Sequence, residues 1–317
     1  MKIHQPFQSI AHIYKKLSNF GKVLFFITIL LILVVLFRNA NAYKSMTSGK
    51  EGFEQNEKFS FKKGDDVYDD FYSTIYDQLV HNETKDTYEL TQIFKITSPD
   101  SKSVVLDIGS GTGHHVGKLA QKNIRATGVD ISDAMVKQAS KNYPGQDFIQ
   151  GNVLDTHLFS FNTFTHILCL YFTIYFIKDK RHFFDNCMDW LMPGGYLVVH
   201  FVDPVKFDPI LPPGNPLYIV SPQKYAKQRI TKTKINFNDF TYHSNFNHDP
   251  SKEIATFEEK FQFTNGNTRK QEQVMYMEHP EKIALIAQQC GFLLQSQIDL
   301  VKCAYEYQYL YVFQKPG

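Results

Sequence analysis

The stretch VVLDIGSGTGHHVGKLA, residues 104–120, opens on apolar, β-branched residues and closes on a helical pattern. Between them stand three glycines at alternate positions, Gly109, Gly111 and Gly113. Such a turn brings bare backbone to the carboxyl end of a strand, where open α/β sheets bind ligands. A triphosphate-cradling loop needs Lys-Ser or Lys-Thr after its last glycine, and here His114 and His115 follow. The dinucleotide spacing G-x-G-x-x-G, counted from Gly109, needs a glycine where His114 stands. The spacing present is G-x-G-x-G, preceded by Asp107.

Outward from the turn, short apolar strands alternate with helices. The pattern predicts strands over 104–108, 126–130, 147–150, 166–171 and 196–202. Helices are expected over 115–122, over 133–142 behind Ser132 as N-cap, and over 180–191. This alternation specifies an α/β fold, a doubly wound and mostly parallel sheet covered on both faces. After Asp203 the period shortens to two, with Asn265-Gly266 as a hairpin signal. An antiparallel β insertion is therefore expected after strand five, over residues 204–278. A helix over 281–290 and a hairpin of strands 292–300 and 304–313 close the chain. Upstream, DDVYDDFYSTIYDQLV sets Tyr68, Tyr72, Tyr76 and Val80 on one face of a helix.

Asp107-Ile108-Gly109-Ser110-Gly111-Thr112-Gly113 resembles the first motif of class I S-adenosylmethionine-dependent methyltransferases. ATGVDIS, ending its strand in Asp130, adds to the resemblance, as do GNVLD after the third strand, PGG before the fifth and Gly291-Phe292 before the final hairpin. The resemblance covers residues 65–317, less clearly in the insertion. It implies a seven-stranded sheet with an antiparallel last strand, and S-adenosylmethionine as cofactor. The residues it implies for cofactor binding are Asp107, Gly109, Gly111, Gly113, Asp130, Ile131, Asn152, Val153 and Leu170. In this scheme Asp130 accepts from the ribose hydroxyls. Asn152 replaces the family's frequent acid beside the adenine amino group, and Val153 lies against the ring. Tyr72 or Tyr76 covers the cofactor's carboxylate end.

The implied activity is methyl transfer to a small-molecule, lipid-like or protein acceptor that the sequence does not identify. A scaffold that kept the fold without turnover, and an aminopropyl transferase, are the alternatives. No catalytic residue is assigned: His200 and Tyr171 are the candidates, with a core-satisfied histidine as the plain reading of His200. The segment CLYFTIYF, 169–176, contains neither N-P-P-[YF] nor a set of metal ligands, and no metal is expected.

Composition bounds the partners. The chain of 317 residues carries 34 Lys and Arg against 32 Asp and Glu, a balance that gives no electrostatic case for nucleic acid. Four cysteines, none in a C-x-x-C pair, read as reduced, buried thiols. The run VLFFITILLILVVLF, 23–37, lies between Lys22 and Arg38. It is expected to act as a single-pass membrane anchor, giving a tail (1–22), an anchor (23–38), a flexible tether (39–63) and a methyltransferase domain (64–317). A cleaved signal peptide ending near Ala40-Asn41-Ala42 and a buried helix are the competing readings. Flanking charges leave the orientation open, and Asn82-Glu83-Thr84 is a lone glycosylation sequon pointing to the lumen. Because S-adenosylmethionine is made in the cytosol, the catalytic domain is expected on the cytosolic side.

Overall fold

The computed structural model describes residues 18–31, 33, 57–214 and 221–317. Most of the expected N-terminal tail, the end of the apolar run, the expected tether up to residue 56 and part of the loop after strand five lie outside the described residues. Residues 1–54 and 55–317 are separate units.

The membrane anchor is corrected. Among the described residues no helix is long and apolar enough to cross a membrane. The described helical stretch 19–31 rises only about 20 Å at 1.5 Å per residue, short of the ~30 Å hydrocarbon core. The single-pass anchor and the cytosolic placement that depended on it are therefore not supported.

In the second unit, seven strands form the main sheet: β2 (Val104–Ile108), β3 (Arg125–Asp130), β4 (Asp147–Gln150), β5 (Phe164–Cys169), β6 (Leu191–Val202), β11 (Leu293–Asp299) and β12 (Gln308–Gln314). Their order is β11-β12-β6-β5-β2-β3-β4. The pairs β2–β3, β3–β4, β2–β5 and β5–β6 are parallel, while β12 runs antiparallel to both neighbours. From β2 the chain winds outward through β3 and β4, then returns to the other side as β5. Between β2 and β5 lies the reversal point at which such sheets open a crevice. The central strands are largely apolar because helices cover both faces: Leu106, Ile167, Leu197 and Val199 are fully buried.

Before β2 stand α1 (Asp70–Val80) and α2 (Glu83–Thr97), capped by Asp69 and Asn82. Asn82 Oδ1 accepts from Lys85 N and its Nδ2 donates to Tyr305 Oη. The sequon asparagine is therefore spent on a helix cap. After β2 come α3 (His114–Ala120) and α4 (Asp133–Asn142), with Ser132 as the N-cap of α4. A single turn α5 (Thr173–Phe176) follows β5, then α6 (Lys180–Trp190), and α7 (Pro280–Gln289) precedes β11.

A second sheet of five strands is built from β1 (Phe59–Lys63), β7 (Lys232–Asn236), β8 (Phe240–Asp249), β9 (Ile254–Phe263) and β10 (Thr268–Tyr276), in the order β1-β10-β9-β8-β7. Its antiparallel strands occupy the expected insertion, with Gly266 at φ +88° in the β9–β10 turn. The expected tether does not extend to residue 63, because 59–63 is β1, paired parallel to β10. This strand lies on the sheet edge with Phe59 and Phe61 exposed, so backbone pairing rather than a buried face defines it. The insertion packs on α1 and α4 through Phe240, Tyr242 and Phe261 against Tyr72, Ile75 and Met135.

Candidate active site

The glycine turn is tied to the end of β3. Gly109 N and Ser110 N both donate to Val129 O, and Gly113 N donates to Ser110 O. Gly111, at φ +52°, gives its N–H to Asp130 Oδ2 at 2.9 Å, and Ser132 N donates to Asp130 Oδ1 at 2.9 Å. Burial raises the Asp130 carboxyl above the ordinary range, opposed by the backbone donors of Ser132, Gly111 and Ile131.

Over the turn lies a cavity of about 560 Å³. The expected residues Gly109, Gly111, Asp130, Ile131, Asn152, Val153 and Tyr171 line it. A Cβ on Gly111 would stand 3.6 Å from Tyr76 Cε1, in open cavity space. A cofactor strand can therefore pass there only because glycine leaves the room. Asn152 Oδ1 already accepts from Leu154 N at 2.9 Å. One lone pair is thus engaged and one is left for a ligand donor.

Other expected residues stand elsewhere. Leu170 is buried in the core beneath β5, packed with Val105 and Val198, and does not line the cavity. Gly113 caps α3, and a Cβ there would meet the Phe148 ring at 2.6 Å, so its glycine serves packing. Asp107 is buried behind the turn, where burial and the charges of Asp86 and Asp130 push it up to about 8. His200, candidate base, is fully buried and does not itself line the cavity, sitting behind Tyr171 and Gln308, which do, with its ring nitrogens on Tyr171 O and Gln308 Oε1. Burial, then the nearby Lys85 ammonium, holds its imidazole down to about 3. It stays neutral through the physiological range and cannot reach an acceptor.

A pH prediction follows from His200. Its folded-state value lies below the ordinary 6.5, so the unfolded chain binds more protons between these two values. Stability should therefore rise as pH climbs from about 3 towards 6.5. His200→Gln is expected to flatten this dependence, compared by urea melts at pH 5 and pH 7; an unchanged slope would contradict the assignment.

The tyrosines divide by their partners. Tyr72 Oη donates to both Glu259 oxygens, at 3.0 and 3.1 Å, and is committed to holding the insertion. Tyr76 lies over Gly111 and faces the cavity. Tyr68 precedes α1, donates to Gln273 Oε1 and meets Tyr76 and Phe176 edge-on. Tyr171 adopts φ +53°, which turns its carbonyl to His200 while its ring lines the cavity.

Sequence reading missed the far wall. Gln273 and Met275 of β10, Phe207 after β6, and Tyr305 and Gln308 at β12 also line the cavity. Alternation along β10, with Gln271, Gln273 and Met275 buried on one face, was the available signal.

Comparison with known proteins finds methyltransferases. Residues 106–199 match the family model of a methyltransferase domain. The dTDP-4-amino-2,3,4,6-tetradeoxy-D-glucose N,N-dimethyltransferase of Saccharopolyspora spinosa is 28% identical over 147 residues, 44% of this chain and 58% of that protein. A trans-aconitate 2-methyltransferase of Acidovorax sp. (strain JS42) is 24% identical over 136 residues, 42% of this chain and 50% of its own length. The chain thus spans little more than half the length of the curated relatives it matches. CalS10 of Micromonospora echinaspora, an amino pentose methyltransferase solved with S-adenosylmethionine bound, superposes with a TM-score of 0.54 at 18% identity, over 77% of this chain and 96% of that one. Residues 106–199 thus match a methyltransferase domain, and the fold is the one seen in solved S-adenosylmethionine-dependent methyltransferases.

Proposed function

We propose that the protein transfers a methyl group from S-adenosylmethionine to an amine nitrogen on a small, amino-sugar-like acceptor. The observation that carries this reading is the cavity, covered by the five-stranded sheet and walled by aromatic rings beside the glycine turn. Its size suits one cofactor and a compact acceptor rather than a protein segment.

When bound, the cofactor supplies a methyl group on a sulfonium with a neutral thioether as leaving group. The chain's own residues align and enclose the reactants. Asp130, fixed by Gly111 and Ser132, presents its carboxylate to the vicinal ribose hydroxyls. Asn152 and Val153 receive the adenine, and Tyr76 closes over the methionine end. The rings of Tyr68, Tyr171 and Phe176 exclude water from the reaction path. An amine attacks with its own lone pair, so no buried base is needed once it is neutral.

Amine chemistry also suits the walls. Nitrogen gains positive charge as the methyl group arrives, and aromatic faces stabilise such a cation by about 0.5–2 kcal/mol. A polycarboxylate acceptor would instead need cations. Of the two lysines lining the cavity, Lys63 is paired with Glu272 at 3.1 Å. The support from relatives is the amino-sugar chemistry in two of their names.

The test is S-adenosylhomocysteine release by the full chain with nucleotide-linked amino sugars, their hydroxyl counterparts and trans-aconitate. Product with the amines alone is expected. Turnover of trans-aconitate without turnover of any amine would overturn the reading.

A further inference from the structure

Behind the glycine turn, α2 faces α3 across a cluster of charged side chains that the proposed methyl transfer does not use. Asp86 and Glu89, three residues apart on α2, share its inner face and are 8% and 0% exposed. His115, the second residue of α3, points at both. Its Nε2 lies 3.9 Å from Asp86 Oδ1 and 4.0 Å from Glu89 Oε2, and one ligand atom from each residue falls within 4.8 Å of the others.

The outer atoms of the two carboxylates already have partners. Glu89 Oε1 accepts from Lys85 Nζ at 2.6 Å, and Asp86 Oδ2 faces His81 Nδ1 at 3.3 Å. His115 Nδ1 faces Asp107 Oδ2 at 3.7 Å. The inner atoms are different. Glu89 Oε2 and His115 Nε2 are buried without a hydrogen-bond partner, and so is Asp107 Oδ2 behind them. Unpaired buried polar atoms cost about 1–3 kcal/mol each, more when charged, so converging ones call for a shared partner.

We propose that Asp86, Glu89 and His115 bind a first-row divalent cation, zinc or manganese, between α2 and α3. One imidazole and two carboxylates are a donor set for such ions, and magnesium and calcium prefer oxygen alone. Asp107 Oδ2, 3.7 Å from His115 Nδ1, stands behind the imidazole on the side where a carboxyl group can orient a metal-bound ring. The formal charges fit a cation: Asp86 and Glu89 face one ammonium, Lys85, which leaves a net negative charge. The ion would clamp α2 onto the helix that begins at the glycine turn. This site is independent of the acceptor proposed above.

The experiment strips the full chain with a chelator and titrates it with zinc chloride and with manganese chloride by calorimetry, without S-adenosylmethionine. One ion per chain is expected for at least one of the two metals. Affinity should fall at least about tenfold in Glu89→Gln and in His115→Gln, with the metal-free circular dichroism unchanged. No binding to the wild type, or binding to either variant as tight as to the wild type, overturns the proposal. Should the variants fail to fold, anomalous scattering from wild-type crystals soaked in zinc chloride decides instead. A peak between the three side chains supports the site; a peak elsewhere, or none, removes it.

Discussion

Glu259→Ala is expected to destabilise the protein by about 3–5 kcal/mol, a fall in Tm of roughly 10 °C. Glu259 lies on β9, 2% exposed, and its carboxylate is the acceptor on which two parts of the unit meet. Tyr242 Oη donates to it at 2.6 Å and Gln271 Nε2 at 2.6 Å, both from the five-stranded sheet. Tyr72 Oη donates from α1. Beside it, Arg269 joins Gln271 to Asp69, the N-cap of α1, and to Val67 O. Removing the carboxylate leaves two phenols and an amide buried without an acceptor, and each carries its own desolvation cost. Glu259→Gln keeps oxygen at the centre and should lose much less. Chemical melts of the two variants check the claim; equal and small losses would show that the sheet is held by its apolar contacts alone.

The two glycines at the ends of the GSGTG segment's last turn should respond differently to alanine. At Gly113, φ is +89° and the new Cβ would lie 2.6 Å from the Phe148 ring and 3.1 Å from Ala139 Cβ. Both strain and overpacking apply, so Gly113→Ala should cost about 2–4 kcal/mol of stability. At Gly111 the φ of +52° carries a similar strain, but the nearest atom to the Cβ is Tyr76 Cε1 at 3.6 Å. Gly111→Ala should therefore cost only about 1–2 kcal/mol while weakening S-adenosylmethionine binding more than tenfold, because the methyl occupies cavity space. Melting curves and ligand titration of both variants separate the effects. Parallel losses in both properties would contradict the division of roles.

Much of this was legible in the chain before the structure. The strand-to-helix turn, the acid ending β3 and the alternation through β6 all follow from local rules: glycine spacing, an N-cap serine and apolar runs. Helix α2 was hidden because Lys85, Asp86 and Glu89 are buried on the face that carries Leu90 and Ile93, which erases the apolar period. Tyr68 was placed on the α1 face, yet a 3₁₀ turn, Gly64–Val67, precedes it and moves it off the helix. The far wall of the cavity comes from β10, β12 and the loop after β6, residues distant in sequence whose convergence no local pattern encodes. His200 illustrates the same limit. Its place at the end of β6 suggested the site, but Tyr171 and Gln308 stand between it and the cavity.

The central claim is that the glycine turn and Asp130 form the S-adenosylmethionine site. Calorimetric titration of the full chain with S-adenosylmethionine and S-adenosylhomocysteine, beside Asp130→Ala, tests it most directly. The account predicts one-site binding of both ligands by the wild type and a loss of about 100-fold in the variant, as expected when charge-assisted hydrogen bonds to two hydroxyls are removed. A folded wild-type protein that binds neither ligand, or a variant that binds as tightly as the wild type, would contradict it.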